Sequence, residues 1–162
     1  MTTLRMALLA LALLASGPAL AQTDATTAKA LDSMQTLRVQ LKGDKKALVA
    51  ANMDLTESEA KAFWPLYAAY QKELDKINDQ LTLAIVAYAR EYKANTLTDA
   101  KATELLRRHL AIEQAEVKLK SAFVPRFGRI LPGRKLARYM QLENKVRAIV
   151  KYEIVAEVPL VQ

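Results

Sequence analysis

Residues Leu55 to Lys93, which begin LTESEAKAFWPLYAAYQKELDKINDQL, constrain this chain more than any other stretch. Phe63, Tyr67, Tyr70, Leu74, Ile77, Leu81, Ala84 and Tyr88 recur at alternating steps of four and three, the spacing of a coiled-coil-like seam. Thr56 precedes the seam as a good N-cap, and Glu59 three residues on predicts a reciprocal capping box. Unbroken to Lys93, the helix would be roughly 55 Å long. One such seam cannot bury itself, so the remaining segments must cover it. Pro65 lacks the N–H that would bond to Lys61, which predicts a bend. Phe63 and Trp64 are expected to fill the space beside it; an exposed aromatic ligand-binding pair is the alternative.

The flanking segments also read as helical. Ala28 to Lys42 carries Leu31, Met34, Leu37 and Leu41 at helical spacing and is expected to stop at Gly43. Asp44 then predicts the cap of a short helix, Lys45 to Met53, with Leu48, Val49 and Met53 on its apolar face. Thr98-Asp99 predicts the start of a helix bearing Ala102, Leu105, Leu106, Ile112, Ala115, Leu119, Ala122 and Phe123. The short break before it makes this helix the antiparallel partner of the long one. Pro132-Gly133 marks a turn. The last helix, Arg134 to about Val155, has Leu136, Tyr139, Met140, Val146, Ile149 and Val150 on one side and Arg134, Lys135, Arg138, Lys145 and Arg147 on the other. Pro159 ends it and leaves an apolar tail. No segment alternates as a strand does, so the expected fold class is all-α: long antiparallel amphipathic helices, a helical hairpin plus flanking helices, and no sheet.

The first residues read differently. Arg5, the apolar run Met6 to Ala15 and the small residues Ala19 and Ala21 have the pattern of a secretory signal peptide cleaved after Ala21. The run is shorter than the roughly 20 residues that span a bilayer, so stable membrane insertion is not expected. A polar leader, residues 22–27, would precede one helical domain over residues 28–158. With no cysteine in the chain, thiol catalysis, thiolate metal sites and disulfides are excluded. The charge is uneven: residues 101–151 hold 13 Lys and Arg against 4 Asp and Glu, whereas residues 22–100 hold 10 against 11. A periplasmic product would meet envelope phosphates, anionic headgroups or acidic polypeptides with that positive half, and nucleic acid is not the expected partner.

Reactive chemistry finds little support. His109 is the only histidine, with Glu113 and Glu116 on its helix face, whereas a zinc site takes three or four protein ligands, mostly His or Cys. No metal site, no cofactor and no enzymatic activity are expected: there is no Gly-rich phosphate loop, and no nucleophile–His pair can be assembled. The carboxylates read as solvated helix-surface groups beside Lys or Arg. What stands out is Arg126, Arg129, Arg134, Lys135 and Arg138 around the Leu131-Pro132 turn, next to Phe123, Phe127 and Ile130. These eight residues are the expected binding surface for unfolded clients that offer acidic and hydrophobic groups together; a solvated basic face is the alternative.

The order of elements resembles the Spy/CpxP group of periplasmic stress proteins, known by repeated LTxxQ turns. The resemblance rests on Leu55-Thr56 opening the long helix and on the second turn at Ile130-Leu131-Pro132, and it covers about Lys45 to Lys151. The first motif reads LTESE, with Glu59 in place of Gln; the second reads LPGRK, which lacks the Thr and has Lys135 in place of Gln. The motif positions are thus Leu55, Thr56, Glu59 and Leu131. The resemblance implies an all-helical homodimer that holds unfolded or acidic envelope proteins without ATP. It leaves two alternatives: an adaptor for an envelope-stress sensor kinase, and a metal-stress-responsive protein, although the His-rich ends of the metal-associated relatives are absent.

Overall fold

Thr56 opens the long helix as its capping box predicts. Its Oγ1 accepts from the Glu59 N–H at 3.3 Å, and Glu59 Oε2 accepts from the Thr56 N–H at 2.8 Å. The computed structural model describes residues 43–161. The expected signal peptide, the leader and the helix over Ala28–Lys42 lie outside the described residues. Helix α1 covers 43–53, α2 Glu57–Ala94, α3 Asp99–Gly128 and α4 Gly133–Glu157. No strand occurs among the described residues, and the fold is all-α.

Helix α2 ends at Asn95, whose left-handed backbone (φ 54°) suits an Asn side chain and lets its N–H reach the Glu91 and Tyr92 carbonyls. Thr98 caps α3 as expected, accepting from the Lys101 N–H at 3.3 Å. Gly43 and Asp44, in contrast, are already helical, so neither the stop expected at Gly43 nor the cap expected at Asp44 is formed there. Pro65 and Pro125 both lie inside continuous helices. Each leaves one carbonyl, those of Lys61 and Ser121, without its intrahelical donor, and both of these residues are exposed.

Helix α3 runs back along α2, with Phe127 against Phe63 at one end of the pairing and Phe123 against Tyr70 further along. Helix α4 then runs parallel to α2, bringing Tyr139 to Phe63, Glu143 to Gln71 and Arg147 to Asn78 in turn. The seam of α2 goes inward: Phe63, Tyr67, Tyr70, Leu74, Ile77, Leu81 and Ala84 are buried. Six aromatic rings, Phe63, Tyr67, Tyr70, Phe123, Phe127 and Tyr139, form one cluster with centroid separations from 4.8 to 6.4 Å. Pairs of this kind add about 0.5–1.5 kcal/mol each beyond the area they bury. Val49 and Met53 of α1, both fully buried, join this cluster, whereas Leu48 is exposed. A smaller cluster of Ile77, Leu81, Ala84 and Ile112 occupies the other end.

Polar ties join the helices between and beside these clusters. Glu143, nearly inaccessible, accepts from Lys45 Nζ at 2.6 Å and from Gln71 Nε2 at 3.0 Å, and Lys45 also donates to Gln71 Oε1 at 3.0 Å. This closed triangle binds α1, α2 and α4. Glu116 receives a two-pronged contact from Arg147 at 2.7 and 2.9 Å and a third bond from Lys120 at 2.9 Å. Arg147 continues to Asn78 Oδ1 at 2.6 Å, and Lys120 to Asn144 Oδ1 at 3.1 Å. Burial raises the Glu116 carboxyl pKa, but the Lys120 and Arg147 hydrogen bonds and charges outweigh it, and the net shift is downward. The expectation that carboxylates sit on solvated surfaces therefore fails at Glu116 and Glu143. Arg147, assigned from sequence to the exposed basic side of α4, points inward for the same reason.

Candidate functional site

Seven of the eight residues expected to form one binding surface separate into three groups, and Arg134 joins none of them. Phe123 and Phe127 are core: Phe127 is fully buried and Phe123 is 6 % exposed. Their rings complete the aromatic cluster and offer no surface to a client, which corrects the sequence expectation. The physical reason is the periodicity of α3, which puts both phenylalanines on the face toward α2 and leaves Arg126, and Arg129 just after the helix, outside.

Lys135 and Arg138 act within the fold. Lys135 Nζ donates to the Asp54 carbonyl and to Glu59 Oε2, both at 2.6 Å, and Arg138 Nη1 donates to the Asn52 carbonyl at 3.4 Å. Asp54 has a left-handed backbone (φ 45°), a conformation that Asp accepts more readily than most residues. The α1–α2 turn is thus held by the first turns of α4. The Lys135 hydrogen bond, followed by that from the Thr56 N–H, lowers the Glu59 carboxyl pKa. Two turns distant in sequence meet here. LTESE and LPGRK each begin with a leucine packed on the aromatic core, each opens a helix, and their fifth residues, Glu59 and Lys135, form one ion pair.

Arg126, Arg129 and Ile130 remain together at the surface. They line a groove of about 440 Å³ with Ala62, Pro65, Leu66 and Ala69 of α2. Both interior prolines belong to this level of the hairpin: Pro65 forms part of the groove, and Pro125 immediately precedes Arg126. The Arg126 guanidinium carbon lies 4.2 Å from the Phe123 ring centroid, a cation–π contact that holds the charge at the rim while the ring stays in the core. Arg129 follows α3 as its C-cap and is exposed, as is Arg134 in the first turn of α4. An apolar floor edged by two guanidinium groups can take a carboxylate and a neighbouring apolar side chain at once. Sequence reading did not find the α2 half of this groove, because Ala62, Pro65, Leu66 and Ala69 lie off the seam and read as ordinary helix surface.

His109 lies on α3, half-exposed, 3.8 Å from Glu113, and no group of three or more metal-ligating side chains occurs among the described residues. Trp64 is half-buried beneath Lys46, whose Nζ is 5.4 Å from the ring, and its neighbour Phe63 is wholly core. No described helix is long and apolar enough to cross a membrane. Comparison of the chain with models of known families, with curated proteins and with solved structures gave no match.

Proposed function

We propose that this protein is an exported, ATP-independent chaperone-like binder of unfolded envelope proteins, and that the groove edged by Arg126 and Arg129 holds its clients. The observation that carries this reading is the placement of two guanidinium groups over the apolar floor of Pro65, Leu66, Ala69 and Ile130. Unfolded chains offer acidic and apolar side chains side by side, and such a groove accepts both without fixing a sequence. Export rests on the signal-peptide pattern that ends at Ala21. The pairing of Glu59 with Lys135 supports the resemblance to the Spy/CpxP group, because the two positions that stand in place of the motif's Gln compensate each other in charge and contact. The exposed Leu110 and Val117 on α3 support the assembly of two copies of the chain.

The test is aggregation of a denatured acidic protein, followed by light scattering. Equimolar protein slows it at low salt, and the effect fades as salt rises past the range where surface charges are screened. Replacing Arg126 and Arg129 by Glu removes the suppression while far-UV circular dichroism stays unchanged. An absence of suppression at every salt concentration, or full suppression by the double variant, refutes the proposal.

A further inference from the structure

The other end of the bundle holds an apolar groove of about 280 Å³, walled by Leu81, Ile85 and Tyr88 of α2, Leu105 and Leu106 of α3 and Ile154 of α4. Its volume is just below the range for sites that bind discrete ligands. Val158 and Val161, from the segment that follows α4, line it too. That segment leaves the helix in an extended conformation at Val158 (φ −90°, ψ 114°), and the Tyr88 hydroxyl donates to the Pro159 carbonyl at 2.8 Å. The sequence there, Val158-Pro159-Leu160-Val161, has no charged side chain. Its grip is partial: Leu160 is 88 % exposed and Val161 59 %.

We propose that this groove is a second binding site, for an extended aliphatic segment of another unfolded chain, and that residues 158–161 rest against it as an internal stand-in for that segment. The segment already seated there identifies the occupant. Its valines close one side of the groove, while the Tyr88 hydroxyl takes a backbone carbonyl, a group that every peptide offers. Side chains in an apolar groove with a main-chain hydrogen bond at its edge is the usual chemistry of extended-peptide recognition. Leu106, 59 % exposed although it lies on the groove, is the contact such a segment would cover. The inference rests on the reading that this protein binds unfolded chains, but it uses a different surface and no charge. It assigns salt-sensitive capture to the arginine groove and salt-insensitive capture of aliphatic segments to this one.

A tethered stand-in competes with any incoming segment, because only the fraction of molecules with the groove open binds. Weakening the stand-in should therefore tighten binding, by roughly threefold to tenfold if it occupies the groove most of the time. The experiment uses the full chain and a fluorescein-labelled peptide carrying Val-Pro-Leu-Val between Gly-Ser flanks, followed by anisotropy. The triple variant Val158→Ser, Leu160→Ser, Val161→Ser should bind the peptide at least threefold more tightly than the parent. Leu106→Glu should abolish binding in both backgrounds with an unchanged circular dichroism spectrum, and added salt should leave the affinities unaltered. Equal affinity of parent and triple variant, binding that survives Leu106→Glu, or occupancy by dodecanoate but not by the peptide would each overturn the proposal. Loss of peptide binding with aggregation suppression intact refutes this inference alone. Peptide binding without aggregation suppression refutes the arginine groove alone.

Discussion

Replacing Glu116 by Leu should unfold this protein far more easily than its position on a polar-looking helix suggests. Glu116 is 4 % exposed and accepts three hydrogen bonds, two of them from Arg147, whose side chain is 13 % exposed. Removing one partner of a buried pair costs about 3–5 kcal/mol, because the other charge remains without compensation. Two features place this case at the lower end. Lys120 is 28 % exposed and keeps Asn144, and Arg147 keeps Asn78. The expected loss is about 3 kcal/mol, or roughly 10 °C in Tm for a domain of this size. Urea unfolding monitored at 222 nm measures it. The double variant Glu116→Leu, Arg147→Met removes both charges and fills the same space with apolar groups, so it should recover most of the loss. A single-variant loss below about 1 kcal/mol, the range of an exposed pair, would refute the reasoning. So would a double variant that loses as much as the two single variants added together.

Four further outcomes are expected. Tyr70 has a buried hydroxyl without a hydrogen-bond partner of normal geometry among the described residues, so Tyr70→Phe should leave stability unchanged or raise it by about 1 kcal/mol in the same urea experiment. Burial, with the Glu143 charge adding to it, also raises the Tyr70 phenol pKa, so its ultraviolet titration should lie above that of an exposed tyrosine and shift to the ordinary range only on unfolding. The Glu59 and Glu116 carboxyl pKa values are both lowered in the folded protein, so their contribution to stability is present above the ordinary carboxylate range and is lost as pH falls through their folded values. Urea midpoints should accordingly hold steady from pH 7 to pH 5.5 and drop below pH 4.5, with a shallower drop in Glu116→Gln. Thr56→Ala removes the side-chain half of the capping box and should cost about 1 kcal/mol, with amide exchange accelerated in the first turn of α2.

The helical architecture was legible because local signals agreed with the tertiary result. The four-three spacing from Phe63 to Ala84 is the buried face, and the Thr56 and Thr98 caps are made by the side chains expected to make them. The binding surface was legible only in part. Helical period separates Phe127 from Arg126, its immediate neighbour, yet the sequence pattern alone puts both on one surface, although residues one apart on a helix do not share a face. The buried ion pairs were hidden for a different reason. A Glu beside Lys and Arg has the same local appearance in water as in a core, and only the partner helix decides which it is. One signal was available: Glu116 falls on the seam between Ile112, Leu119 and Phe123, where a lone charge requires a buried partner. Glu143, one turn beyond Tyr139 on the same face, gives the same warning.

The tie between Lys135, Asp54 and Glu59 also bears on how the molecule assembles. A base counted from sequence as part of the client surface instead joins the first turns of α2 and α4, and with Arg138 it keeps α1 over the aromatic cluster. Fewer bases of residues 101–151 are therefore left at the surface than the charge count implies, and under the proposed function the ones that meet a client are Arg126 and Arg129.

The most direct measurement of that claim is a two-dimensional NMR titration of the labelled protein with an unfolded acidic polypeptide at low salt. The arginine side-chain resonances of Arg126 and Arg129 should shift together with the amides of Leu66, Ala69 and Ile130, and the shifts should collapse as salt is added. Perturbations that leave these five positions untouched, or that persist at high salt, would contradict the account.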